Sequence, residues 1–224
     1  MSTRLTPKGE LWVLQADGQP YWPEKPDPSV VNVEVIAQSL SQKVRFGGHG
    51  RPFYSVAQHS LFVAHMVRVE LAKQIEMGVA TPLYAWKVER AAQMHDAHEA
   101  WLVDLPSPLK KIWWINDRWR ALEDRWDEAI AAAMGIEHSV LIDKAVKTFD
   151  VVALLLEGQY IMPETPGEWQ WPGYGTDSEF IQGLAEQYRP LFLEKYGDTF
   201  FNPEQWELQF LNRWAELRVI PDVG

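Results

Sequence analysis

The stretch Ala91-Ala92-Gln93-Met94-His95-Asp96-Ala97-His98-Glu99-Ala100-Trp101 decides how this chain is read. A histidine and an aspartate stand side by side at the end of an apolar run, and a glutamate follows at i+4 from the histidine. Asp is a poor residue for a helix interior, and burying its carboxylate without a partner is costly. A divalent cation resolves that conflict, because imidazole nitrogen and carboxylate oxygen are both good ligands for one. The apolar spacing around this knot has helical period, so the knot is carried on helices.

Working outward, the spacing predicts an all-α domain. Apolar Val33, Ile36, Ala37 and Leu40 recur at helical spacing after Asn32, and Phe46-Gly47-Gly48-His49-Gly50-Arg51-Pro52 interrupts the pattern. Ser55 is an N-cap for a long helix to about Gly78, with Val56, His59, Phe62, Val63, Met66 and Val67 on its inner face. A second helix is expected from about Tyr84 to Trp101, a third from Asp117 to Met134 ending at Gly135, and a fourth from Ser139 to Tyr160. Two more are expected over 177–196 and 203–217, after a Pro/Gly/Trp-rich loop at 163–176. Leu11-Trp12-Val13-Leu14 and Pro20-Tyr21-Trp22 flank a turn at Asp17-Gly18 and predict a small β-hairpin. The expected organisation is an N-terminal hairpin and loop over 1–30, a helical core over 31–160 and a C-terminal loop with helices over 161–224, in one domain.

Composition narrows the function. The chain has 224 residues, enough for one sizeable core, and 46% are hydrophobic, which argues against disorder. A net charge of −10 without a basic run argues against duplex nucleic acid, while leaving room for a local cationic pocket. With no cysteine, any metal must be held by His, Asp or Glu. The N-terminal residues do not read as a signal peptide and no apolar run reaches the roughly 20 residues of a membrane span, so a soluble cytoplasmic protein is expected. The 12 tryptophans are read as packing residues.

Four residues on predicted helices form a candidate metal set: His59, His95, Asp96 and Asp150. Alone, His59 would read as a core histidine and Asp150 as an exposed helix residue. The adjacent pair at 95 and 96 carries more weight than either. Such a set suits one divalent ion, with Co, Mn, Zn, Fe and Mg all compatible. Glu99, on the face of His95, is placed to take a proton from a water whose pKa the ion lowers, or is a solvated helix carboxylate. Asp104 reads as a sugar-hydroxyl acceptor or a turn cap. Arg45, Lys110 and Lys111 adjoin the site-bearing segments and supply charge for a phosphate, Arg45 in bidentate fashion. His98, on the neighbouring face, reads as a support behind the site or, the favoured reading, as a surface residue.

Taken together, Arg45-Phe46-Gly47-Gly48-His49-Gly50-Arg51-Pro52-Phe53-Tyr54-Ser55-Val56-Ala57-Gln58-His59, then His95-Asp96-Ala97-His98-Glu99, then Asp104-Leu105-Pro106-Ser107-Pro108-Leu109-Lys110, then Lys147-Thr148-Phe149-Asp150, resemble the HD-domain metal-dependent phosphohydrolases. Within that superfamily the pattern is similar to the 5′-deoxynucleotidase branch and its phage deoxynucleoside triphosphohydrolase relatives, some of which remove dATP. The resemblance spans about residues 30–160 in the order H…HD…D. It implies a helical HD bundle with His59, His95, Asp96 and Asp150 as ligands and Glu99 working on the attacking water. It further implies Arg45 and Lys110 at the phosphate and Asp104 at the sugar or reacting group. Phe46, where bacterial members carry Trp, would border the substrate. The implied substrate is a deoxynucleotide, mono- or triphosphate, cleaved at its 5′ phosphoester, and the implied assembly is a homodimer or larger homo-oligomer. A nucleotide sensor without turnover is the rival reading, and a purely structural helical protein a third.

Overall fold

The computed structural model describes residues 11–163, 178–197 and 202–221. Helices dominate them, with a single two-stranded antiparallel sheet at the N-terminal end. Strands β1 (Val13–Leu14) and β2 (Pro20–Tyr21) pair Val13 with Tyr21 around the expected turn, where Gly18 takes a φ of 78°. Nine α-helices follow among the described residues: α1 (Val33–Gln42), α2 (Val56–Glu76), α3 (Pro82–Met94), α4 (Ser107–Lys110), α5 (Asn116–Met134), α6 (His138–Leu141), α7 (Lys144–Tyr160), α8 (Glu179–Phe192) and α9 (Pro203–Glu216).

Helix α2 is the axis of the molecule. Ser55 starts it with a full capping box: its hydroxyl accepts from the Gln58 amide and the Gln58 side chain accepts from the Ser55 amide. From Val56 to Val67 every residue but His65 is buried, so this helix is enclosed on nearly all sides rather than resting on the core by one face. α1, α3, α7 and α9 pack around it, and α8 packs on α7. Phe62, fully buried, meets Phe192 at 5.1 Å and Tyr196 at 5.0 Å between ring centroids.

Several expected boundaries hold. Asn32 caps α1, and α5 ends on Gly135, whose φ of 63° lies in the left-handed region that closes helices. The expected helix over Ser139–Tyr160 is instead two: α6 ends at Leu141 and Asp143 caps α7 through the Ala145 amide. The expected helix over Tyr84–Trp101 stops at Met94, and Ala97–Ala100 form a separate 3₁₀ turn. The short α4 follows the 3₁₀ turn and carries Lys110 at its end. Apart from Pro163, the Pro/Gly/Trp-rich loop lies outside the described residues.

The hairpin region is stitched to the core by tryptophans. Trp101 and Trp126 stack with centroids 4.8 Å apart, and Tyr21 meets Trp126 edge-on. Trp101 donates to Gln15, Trp126 donates to the Pro23 carbonyl, and the Tyr21 hydroxyl donates to the Trp101 carbonyl. By contrast Trp113 and Trp114 are exposed and depart from the expectation that the tryptophans are packing residues.

Two substitutions test the central role of α2. Phe62→Ala removes a fully buried ring and is expected to lower unfolding free energy by about 3–5 kcal/mol. Ser55→Ala, which deletes one half of the capping box, is expected to cost about 1 kcal/mol. Urea denaturation followed by circular dichroism separates the two.

Candidate metal centre

Three segments converge on one point beside α2. His59 lies on the second turn of α2, His95 and Asp96 at the end of α3, and Asp150 midway along α7. The break after Met94 matters here. His95 keeps helical angles, whereas Asp96 takes φ −104° and ψ 15°, so the chain turns and the neighbouring side chains reach the same spot.

Both imidazoles are oriented by acceptors on their outer side. His59 Nδ1 lies 2.7 Å from Glu157 Oε1, and His95 Nδ1 lies 2.8 Å from the Ala92 carbonyl oxygen. Carboxylate and carbonyl oxygens only accept, so each Nδ1 carries a hydrogen and Nε2 is the ring atom turned inward, the lone-pair atom when the ring is neutral. The two Nε2 atoms are 3.2 Å apart. Two lone pairs at that distance repel unless a cation lies between them or one ring is protonated.

The surrounding oxygens supply the rest of a ligand set. Asp96 Oδ2 is 3.4 Å from both Nε2 atoms, and Asp150 Oδ1 is 3.2 Å from that of His59 and 3.9 Å from that of His95. Metal–ligand bonds of about 2.0–2.2 Å place adjacent ligand atoms roughly 2.8–3.6 Å apart, from octahedral to tetrahedral geometry. Four of these five separations match that range. Asp150 lies beside, and outside, the group His59, His95 and Asp96, whose ligand atoms are all within 4.8 Å of one another and fit a small divalent ion. Without one, burial and Arg45 oppose a charged His59 ring, but Glu157 and Asp150 outweigh them and raise it to about 10. Burial likewise works against ionised Asp96, yet His95 and His59 pull it down to about 2, and Asp150 is held well below the usual carboxylate range by the same two rings.

The predicted substrate-side residues flank this cluster. Arg45 is nearly buried; its Nε donates to Glu157 Oε2 at 3.0 Å and its Nη1 lies 3.4 Å from Asp96 Oδ2. Burial opposes its charge, but Glu157, Asp104, Asp96 and Asp150 keep the guanidinium protonated. The Phe46 ring lies 5.6 Å from the Arg45 guanidinium carbon, and Phe46 takes a left-handed φ of 57°. A left-handed non-glycine residue costs roughly 1–2 kcal/mol, a strain concentrated in the loop that presents Arg45. That loop is pinned at its base by Arg45 N to Tyr54 O at 2.9 Å and Val56 N to Lys43 O at 2.9 Å.

Glu99 is buried on the 3₁₀ turn, and its Oε2 is a buried acceptor without a hydrogen-bond partner. Burial, Asp96 and Asp104 raise its carboxyl to about 8. Burial also raises Asp104, against Arg45. Lys110 Nζ is 2.7 Å from Glu123 Oε1, and although burial works against its charge, Glu99 and Glu123 keep it protonated.

Four contributors escape the sequence reading. Glu157 and Tyr54 stand behind His59, the Tyr54 hydroxyl donating to Glu157 at 3.0 Å. Glu157 shares a helix face with Asp150 two turns earlier, which is the one sequence signal it offers. Lys43 donates to the carbonyls of Glu99, Ala100 and Leu102 and so ties the 3₁₀ turn to the end of α1. His98 is buried rather than at the surface: Nδ1 meets Asp127 at 2.9 Å and Nε2 lies 3.5 Å from Glu123 on α5.

Two groups bring three potential ligand atoms within 4.8 Å: His59, His95 and Asp96, and Asp96, His98 and Glu99. The first is the better candidate on geometry: Asp150 Oδ1 lies 3.2 Å from His59 Nε2 there, whereas both ring nitrogens of His98 face carboxylates of α5, Asp127 at 2.9 Å and Glu123 at 3.5 Å.

No family model matches the chain. It is 31% identical over 140 residues to the uncharacterized protein YfdR of Escherichia coli strain K12, an alignment covering 62% of this chain and 66% of that protein.

Glu123 supports both Lys110 and His98, and its titration gives a stability test. Burial would raise its carboxyl, but His98 and Lys110 lower it from 4.5 to about 2. Its folded value lies below its unfolded value, so its contribution is fully present above about pH 4.5 and is lost as pH falls toward 2. Glu123→Gln is expected to be less stable than the native chain at pH 7, with the gap narrowing below pH 4.5 in urea unfolding.

Proposed function

We propose that this chain is a divalent-metal-dependent phosphohydrolase with an HD-domain helical core, cleaving the 5′ phosphoester of deoxynucleotides. The observation that carries the reading is the pair of inward-facing Nε2 atoms 3.2 Å apart, with Asp96 and Asp150 beside them and Arg45 against Asp96. An ion held by His59, His95, Asp96 and Asp150 would supply Lewis-acid polarisation of a phosphate oxygen and acidify water.

The remaining chemistry falls to the protein. Arg45 offsets charge growing on the phosphate oxygens, and Lys110 adds to the positive field. Glu99, with its bare buried oxygen beside Asp96, accepts the proton of the attacking water. As the water oxygen bonds to phosphorus, the bond from phosphorus to the sugar 5′ oxygen breaks and that oxygen takes up a proton. Asp104, its carboxyl raised by burial, is suited to donate it or to hold the sugar hydroxyl. Phe46 borders the sugar beside Arg45. The same bond is broken in a monophosphate, releasing orthophosphate, and in a triphosphate, releasing inorganic triphosphate. We further propose a cytoplasmic homodimer or larger homo-oligomer.

Product analysis with the four dNMPs and four dNTPs, each with Mn, Co, Mg or Zn, tests the proposal. Orthophosphate from dNMPs, or triphosphate with nucleoside from a dNTP, is expected only with metal and only from the native chain, not from His95→Ala/Asp96→Ala. Arg45→Ala is expected to lower kcat/KM by about 10²–10³-fold, and Glu99→Gln to lower kcat by about 10²–10⁴-fold. Metal-loaded protein that releases neither product would sink the hydrolase reading and favour a nucleotide sensor.

A further inference from the structure

The least exposed acidic group beside the centre is one that neither ligates nor reaches substrate. Glu157 has no exposed surface, yet three donors from two other segments end on it. Its Oε1 takes the His59 Nδ1 hydrogen at 2.7 Å and the Tyr54 hydroxyl at 3.0 Å, and its Oε2 takes Arg45 Nε at 3.0 Å. A carboxylate has room for about four donors, so this one is nearly saturated.

We infer that Glu157 is the positioning residue of the centre: it fixes the His59 tautomer and the Arg45 guanidinium plane at once, tying metal affinity to phosphate contact. The inference rests on the metal site proposed above. Its physical basis is the difference between a carboxylate and an amide. The carboxylate offers acceptors on both sides, one toward His59 and one toward Arg45. In Glu157→Gln, Oε1 can still accept from His59 and Tyr54, but the amide nitrogen then faces Arg45 Nε, and two donors meet. If the amide turns over, the two donors meet at His59 instead, which favours the wrong ring tautomer. Either way one of the two functions is released. Glu157 sits on α7 two turns beyond Asp150, so the same helix places a ligand and the group that orients the opposing ligand. Outer partners of ligating histidines typically change metal affinity 10–100-fold.

The test uses the full chain without nucleotide. Co²⁺ and Zn²⁺ are titrated against a competing chelator, and the Co²⁺ absorption spectrum reports the ligand geometry. Glu157→Gln is expected to weaken binding by about 10–100-fold and change the Co²⁺ spectrum, in a chain that remains folded by circular dichroism in EDTA with its melting point lowered by the lost pairing to Arg45. In the native Zn²⁺ form, nitrogen NMR of the histidine rings is expected to show His59 protonated at Nδ1 in a strong hydrogen bond, a measurement that needs no variant. A folded Glu157→Gln chain with native affinity and spectrum, or a His59 ring protonated at Nε2, overturns the positioning role and leaves the metal site standing. A native chain that binds neither ion overturns the metal site, and the inference with it.

Discussion

Charge held inside an apolar bundle is the constraint on which this structure turns. Glu157 and Glu99 are buried, and Asp96 and Asp104 are partly so, beside α2, whose own Val56, Phe62 and Val63 are fully buried. An ion in such surroundings persists only with partners, because an unpaired buried charge is far too costly for a marginally stable fold. The partners come from every direction: Arg45 from the loop before α2, Lys43 from the end of α1, Lys110 from α4, and the imidazoles from α2 and α3. The positions of these helices and the electrostatics of the centre are therefore one problem with one solution.

The turn at 95–99 divides that solution in two. On one side His95 and Asp96 meet His59 and Asp150, where ring tautomers leave lone pairs pointing at a common centre. On the other, His98 is enclosed by Asp127 and Glu123 and serves as a cation. Two histidines three residues apart thus face different partners: the Nδ1 of His95 meets a carbonyl and that of His98 a carboxylate. A continuous helix would not have allowed it, since His95 and His98 would lie on nearly the same face. The 3₁₀ turn, held by Lys43, separates them.

Much of the architecture was legible from local chemistry. Ser55, Asn32 and Gly135 mark their helix ends because capping is a property of a few adjacent residues. The proposed ligands also stood out, since His-Asp adjacency conflicts with an ordinary helix. What stayed hidden depends on distant partners. Glu157 reads as one more polar residue on α7 until Tyr54, His59 and Arg45 are brought against it. His98 reads as surface because nothing near it in sequence announces Asp127. The end of α3 at Met94 was missed because Ala, His and Glu all tolerate a helix, and only the pull of the centre on Asp96 and of Lys43 on the carbonyls favours a turn.

The reach of these contacts has a consequence for how the chain assembles. A helical bundle normally folds fast, because most of its contacts are local. Here the bonds around the centre join residues far apart in sequence: 98 residues separate His59 from Glu157, 103 separate Tyr54 from it, and 112 separate Arg45 from it. The hairpin adds an 80-residue closure between Tyr21 and Trp101. Each such closure carries an entropic cost that must be met before the contact rewards it. Helices α2 and α3, close neighbours in sequence and in space, can dock early, whereas the centre cannot exist until α7 arrives. The charged groups thus spend the first part of folding hydrated and apart, and their desolvation belongs to the last step.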